Sequence, residues 1–312
     1  MLEHLIILLD NTSIAYCYAD NPSTESYLMP IDILKKAIVF GMKENLMINY
    51  VLPKQPLSKE YSDLLETIDN NKIGESIRVA NNISEIGNNG VVILRITYQT
   101  FISNIKQIGD CLSCVDRLNI CFINIEDFND LDIPKYKESL SYLVSKIYEL
   151  QKRGLNPSIN LITDRIGKTS MTNCGAGVSN ITIAPNGRFY ICPAFYYDEQ
   201  LNIDNLMNHS EPESKRSVGD LENGLNIPNR DLLHLDYAPL CRICDAYHCH
   251  RCVWLNQKLT GDINTPSRQQ CVMAHIERNA ARELNVLTAE RDTKTNIPEI
   301  NYIDPFDLFI RK

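Results

Sequence analysis

CRICDAYHCHRC, residues 241–252, places four cysteines and two histidines in twelve positions. Ligand density of this kind is read as disulfides, as zinc, or as iron and sulfur, and that choice governs the reading of the chain around it. The cysteines form two C-x2-C pairs, Cys241/Cys244 and Cys249/Cys252, with four residues between them. A C-x2-C turn brings two sulfurs to one centre while its backbone N–H groups point inward. A zinc ribbon normally separates its two knuckles by a dozen or more residues, so four is short, although a compact four-thiolate zinc site stays open. Iron–sulfur clusters tolerate dense runs, because a cluster is larger than one ion and the ligands can divide between two clusters. His248 and His250 stand inside the run as candidate substitute ligands.

The remaining cysteines sharpen the pattern. Of eleven, Cys17, Cys111, Cys114 and Cys121 are scattered over the first 173 residues, whereas Cys174, Cys192, Cys241, Cys244, Cys249, Cys252 and Cys271 fall close together. No stretch is apolar for 18 residues, so no membrane span is expected. The apolar start HLIILL is short and has no small-residue cleavage site after it, so the chain reads as cytoplasmic, where a disulfide framework is not expected. A net charge of −8 with only short basic runs argues against nucleic acid as a partner.

The first half alternates two periods. HLIILLD (4–10), LMINYVL (46–52), SIRVA (76–80), VVILRIT (91–97), LNICFINI (118–125) and SINLITD (158–164) are apolar runs of the kind that form parallel strands covered on both faces. Helical patterns lie between them at 31–44, 58–69, 98–115 and 133–153. Six strands alternating with helices predict an α/β fold, a six-strand parallel (β/α)6 domain that is either open or a partial barrel. The second half differs. VSNITIAPNGRFYICPAF (178–195) predicts a hairpin around Pro185-Asn186-Gly187, residues 202–230 predict a long polar loop, and 267–284 predict a helix. The expected boundaries are 1–173 for the α/β domain, 174–289 for a cysteine-rich domain and 290–312 for a C-terminal tail.

Cys174, then Gly187-x4-Cys192, a long gap, the run 241–252 and finally Cys271 together resemble a SPASM domain, the C-terminal module of many radical-SAM peptide-modifying enzymes. GDLENG (219–224) resembles the segment that precedes the cysteine run in that family, and the segment CHRCVWLNQKLTGDINTPSRQQCVMAHIERNA is similar to the CXXX repeat peptide maturases. The resemblance implies two auxiliary [4Fe–4S] clusters, one held by Cys174, Cys192 and Cys252, the other by Cys241, Cys244, Cys249 and Cys271. The run departs from the family pattern C-x2-C-x5-C-x3-C in its last two spacers, each one residue short, and His250 occupies the register of the third cysteine. His275, four residues after Cys271, reads as a polar-face residue.

The family also carries a C-x3-C-x2-C triplet after the first strand, which holds the cluster that chelates S-adenosylmethionine. Here that loop, residues 10–30, contains Cys17 alone, and LPKQP (52–56) replaces the usual Gly-Gly-Glu. Cys111, Cys114 and Cys121 are placed at the N-terminal face of the sheet, too far from Cys17 to complete a site. No S-adenosylmethionine-binding residues are therefore assigned and no catalytic residue is named. The resemblance implies an iron–sulfur protein of ribosomal peptide (RiPP) maturation that binds or modifies a cysteine-repeat precursor peptide, with a separate radical-SAM enzyme as a candidate partner. Two other readings stay open: a non-catalytic recognition module with structural Zn2+, and an S-adenosylmethionine-dependent radical enzyme with an atypical cluster site.

Overall fold

A computed structural model of the 312-residue chain describes residues 2–171, 174–203, 216–249 and 251–291. His250, the middle of the polar stretch 202–230 and nearly all of the tail 290–312 lie outside the described residues. The chain divides into two compact units, Met1–Val79 with Gly175–His234, and Ala80–Cys174 with Leu235–Lys312.

In the first unit, β1 (His4–Leu8) is the central strand, with Leu5, Ile7 and Leu8 fully buried. It pairs in parallel with β2 (Met47–Val51) on one side and with β8 (Asn180–Ile183) on the other. Beyond β2 lie β3 (Asn70–Ile73) and β4 (Ile77–Ala80); beyond β8 come β9 (Arg188–Tyr190), β10 (Ser217–Asp220) and β11 (Gly224–Leu225), all antiparallel. α1 (Ile31–Lys43) lays Leu34, Ala37 and Ile38 on a core of Leu5, Ile7, Ile48, Tyr50, Ile181 and Ile183. α2 (Lys59–Leu65) and α6 (Pro193–Ile203) complete the unit.

The pairing of β8 with β1 explains why the units do not follow the 173/174 boundary. The chain after Gly175 extends the sheet of the first unit before it reaches the cysteine run.

Two elements of this unit differ from the sequence expectation. β3 has no apolar run: only Ile73 of Asn70–Ile73 is buried. It is held by backbone pairing along β2 and by an amide contact, Asn71 Nδ2 donating to Asn49 Oδ1 at 3.0 Å. The long polar loop is likewise interrupted by the β10–β11 hairpin. Its turn is GDLENG, in which Asp220 Oδ1 accepts from the backbone N–H of Glu222 and of Asn223 at 2.8 and 2.7 Å. Gly219 has φ +119°, and a Cβ there would sit 2.1 Å from the carbonyl oxygen of Gly224.

The second unit carries β5 (Val91–Ile96), β6 (Arg117–Phe122) and β7 (Ser158–Ile159), all parallel. Its helices are α3 (Tyr98–Ser103), α4 (Ile105–Cys111), α5 (Ile133–Lys152), α7 (Val253–Thr260) and α8 (Arg268–Arg291). The pattern over 98–115 therefore gives two helices. Asn104, at φ −116°, ends α3 and starts α4. The expected strand 158–164 stops after two residues, because the Asn160 side chain bonds the backbone of Ile120 in both directions at 2.8 Å. Thr163 Oγ1 then closes on the N–H and carbonyl of Ile159 at 2.7 and 3.0 Å. Cys121 is a correction too: it is the fifth residue of β6, near the C-terminal end of the strand, because the strand begins at Arg117 and ends at Phe122. Among the described residues, no helix is long and apolar enough to cross a membrane.

α8 packs along α5, and the junction is polar at its centre. Glu277, with no exposed surface, accepts from Tyr136 Oη at 2.5 Å and pairs with the equally buried Arg165. Breaking a buried pair by removing one partner strands the other charge and costs about 3–5 kcal/mol. Glu277→Ala is therefore expected to lower the urea midpoint of unfolding by an amount equivalent to about 3–5 kcal/mol; a loss within the error of the measurement would show that the pair holds nothing. Gly219→Ala is expected to destabilise the first unit by about 1–3 kcal/mol, since the side chain needs both a disfavoured φ and room the hairpin lacks; unchanged thermal unfolding would contradict this.

Candidate metal centre

The cysteine run is shaped by short local devices. Cys241 opens a 3-10 turn, with Cys241 N–H donating to Ala238 O at 3.0 Å and Cys244 N–H to Cys241 O at 3.1 Å. Two residues after each inner cysteine, a backbone N–H points back at sulfur: Ala246 to Cys244 Sγ and Arg251 to Cys249 Sγ, both at 3.4 Å. Between them, His248 adopts the left-handed region at φ +59° and reverses the chain. The fourth thiol comes from α8, whose first turn is fixed by a capping box. Gln270 N–H donates to Ser267 Oγ at 3.3 Å, and Ser267 N–H donates to Gln270 Oε1 at 2.8 Å. Cys271 and His275 are four residues apart and so share one face of that helix.

Cys241, Cys244, Cys249 and Cys271 line one pocket together with Met171, Arg251, Ala274 and His275. It encloses about 510 Å³ with its open mouth included. Burial pushes the Cys241 thiol up, and pushes those of Cys244 and Cys249 up to about 11. In such surroundings a thiol keeps its proton unless a cation is present to favour the thiolate. Among the described residues, no cysteine forms a disulfide. Among the described residues, no three His, Cys, Asp or Glu side chains gather closely enough to hold a single metal ion. The donor set fits a thiolate-bound group at this pocket by its chemistry: four sulfurs from two stretches of chain, two of them already accepting backbone N–H bonds.

The other candidates lie elsewhere. Cys192 is buried in the first unit; in the second, Cys252 is buried and Cys174 exposed, and none of the three lines the pocket. His248 turns its Nε2 to within 3.4 Å of Asp164 Oδ2 and is not among the lining residues. His275, expected on a polar face, is buried, with Nε2 3.5 Å from Cys244 Sγ. Its spacing from Cys271 was the available signal, because i and i+4 share a helix face. Arg251, at 4% exposure, carried no such signal.

The loop after β1 is closed on itself. Asp10, fully buried, accepts from Thr12 N–H at 2.7 Å, Thr12 Oγ1 at 2.5 Å and Ser26 Oγ at 2.7 Å. Asn21 Nδ2 donates to the carbonyls of Asn11 and Ser13, each at 2.8 Å. Cys17 is the one thiol of this loop, so the residues present do not fit a three-cysteine cluster site there.

No protein-family model matches the chain, and no curated protein matches it. Solved structures do. Native anSMEcpe with bound AdoMet and Cp18Cys peptide is similar with a TM-score of 0.57 at 11% identity, over 92% of this chain and 99% of that one. Hexahistidine-tagged anSMEcpe with bound AdoMet gives 0.53 at 13% identity, over 93% and 97%. At this identity the likeness is one of fold: an α/β architecture with mostly parallel strands.

Cys241→Ala, Cys244→Ala, Cys249→Ala and Cys271→Ala should each lower the metal bound per chain, read by elemental analysis after anaerobic purification, while Cys114→Ala and His248→Ala leave it unchanged. A loss of metal in His248→Ala equal to that in the cysteine variants would place His248 among the ligands.

Proposed function

We propose that the chain is an iron–sulfur protein of ribosomal peptide maturation that binds a cysteine-repeat precursor peptide and has no S-adenosylmethionine-cleaving cluster of its own. The observation that carries this reading is the shared pocket of Cys241, Cys244, Cys249 and Cys271, the same four cysteines that the SPASM resemblance groups together. Two C-x2-C pairs only four residues apart suit a cluster, whose irons take separate ligands, better than a zinc ribbon with its widely spaced knuckles. By the same resemblance, Cys174, Cys192 and Cys252 hold a second cluster with three protein ligands.

The role of the chain's own residues is to hold. The four pocket thiols fix one group, with Cys241 buried and Cys244, Cys249 and Cys271 partly buried. Such groups supply electron transfer and soft coordination of thiolates. Fold similarity to a protein that carries AdoMet and a peptide supports a peptide as the bound partner. The closed loop 10–30, with Cys17 alone, supports the assignment of radical initiation to a separate enzyme.

Anaerobically purified protein should contain about eight iron and eight acid-labile sulfide per chain, as two cubane clusters require, and should bind a synthetic Cys-x-x-x repeat peptide without added S-adenosylmethionine. One or two zinc per chain with no sulfide would instead establish the second reading, a zinc-stabilised recognition module, which the approach of His275 Nε2 to Cys244 Sγ at 3.5 Å favours. Reductive cleavage of S-adenosylmethionine by the chain alone would overturn the assignment of initiation to a partner.

A further inference from the structure

Three arginines are buried around the cysteine-rich segment: Arg165, Arg251 and Arg278, with 7, 4 and 5% exposure. A guanidinium stays charged at any physiological pH, so each needs a counter-charge when it is taken out of water. Arg165 has Glu277, and Arg278 has Asp245 at 2.5 Å. Among the described residues, no carboxylate faces Arg251. Its terminal nitrogen donates to the neutral Asn264 Oδ1 at 2.9 Å, and its Nε is buried with no hydrogen-bond partner.

What Arg251 does face is sulfur. It lines the pocket with Cys241, Cys244, Cys249 and Cys271, its positive charge acts on Cys241, and its backbone N–H points at Cys249 Sγ. Neutral thiols cannot balance a full positive charge. Four thiolates around a metal ion or a cluster carry net negative charge and can.

We propose that Arg251 is the built-in counter-charge of the four-thiolate group held by Cys241, Cys244, Cys249 and Cys271. It acts as a positioning residue that raises the affinity of the pocket for an anionic metal–thiolate occupant. The inference rests on the reading that these cysteines hold a metal group, and it is indifferent to whether that group is a cluster or zinc. It separates the three arginines by job: Arg165 and Arg278 hold the frame, and Arg251 holds the occupant.

The test uses the full chain, reduced and metal-free under anaerobic conditions, titrated with Co2+ and read by thiolate-to-cobalt charge-transfer absorption against a competing chelator. Arg251→Gln is expected to weaken cobalt binding roughly 10–100-fold, the usual effect of losing a partner just outside a metal's ligands. Arg251→Lys, which keeps the charge, is expected to retain most of the affinity. Equal affinity in wild type and Arg251→Gln would overturn the proposal, as would equal losses in Arg251→Gln and Arg251→Lys.

A measurement on the wild-type chain does not depend on a variant folding. The side-chain 15N resonance of Arg251 should shift and become protected from exchange when Zn2+ is added; a resonance that does not move would also overturn the proposal. Failure of the underlying metal reading looks different: the wild-type chain would show no charge-transfer absorption at all, and both inferences would fall together.

Discussion

Glu277 sits at the middle of α8 with no surface exposed, and its carboxylate takes the Arg165 guanidinium on one side and the Tyr136 hydroxyl on the other. Arg165 also donates to the carbonyl of Tyr247 at 2.9 Å. Four segments therefore meet at one buried charge pair: α5 through Tyr136, the turn after β7 through Arg165, the cysteine run through Tyr247, and α8 itself. The pocket of four cysteines is built from two of these segments. α8 supplies Cys271 and His275, the run supplies Cys241, Cys244 and Cys249, and Arg165 bonds both elements, through Glu277 and through the carbonyl of Tyr247. A pair of this kind adds little net stability over well-packed apolar side chains. What it contributes here is register, since an apolar contact tolerates sliding and a directional hydrogen-bond network does not.

Charge in the second unit is arranged in two tiers. Asp245, immediately after Cys244, takes Arg278 at 2.5 Å and Arg282 at 2.7 Å, fixing the run to the next turns of α8. These carboxylate contacts lie outside the residues that line the pocket, where Arg251 stands with the sulfurs, Gln270 and His275. Burial raises the thiols of Cys244 and Cys249 to about 11, so that they keep their protons at neutral pH.

The first unit shows the opposite arrangement around its central strand. The residues after β1 fold into a hydrogen-bonded turn around Asp10, with Ser13 Oγ donating to Val51 O at 3.2 Å. The polar groups named there bond one another or backbone. In an α/β sheet, the carboxyl ends of the strands are where ligands bind, and here that end of β1 is given over to structure. Cys17 is the one thiol in the loop 10–30.

How much of this could be read from the sequence follows from the range of each signal. Apolar runs gave β1, β2, β5 and β6 because burial on both faces writes itself into consecutive residues. The C-x2-C pairs marked three of the four pocket thiols, Cys241, Cys244 and Cys249, because the turn that joins two thiols is local. β3, with Asn70, Asn71 and Lys72, was invisible because its strand character comes from pairing with β2 and from one amide contact. The early end of β7 was invisible because Asn160 reaches back to Ile120, forty residues away in the chain. The sequence by itself determined the α/β class and the grouping of cysteines. Only the tertiary structure decided which four thiols share a pocket, that His275 and Arg251 join them, and that the chain after Gly175 first completes the sheet begun by β1. Those are consequences of contacts between distant segments, and residue spacing carries no record of them.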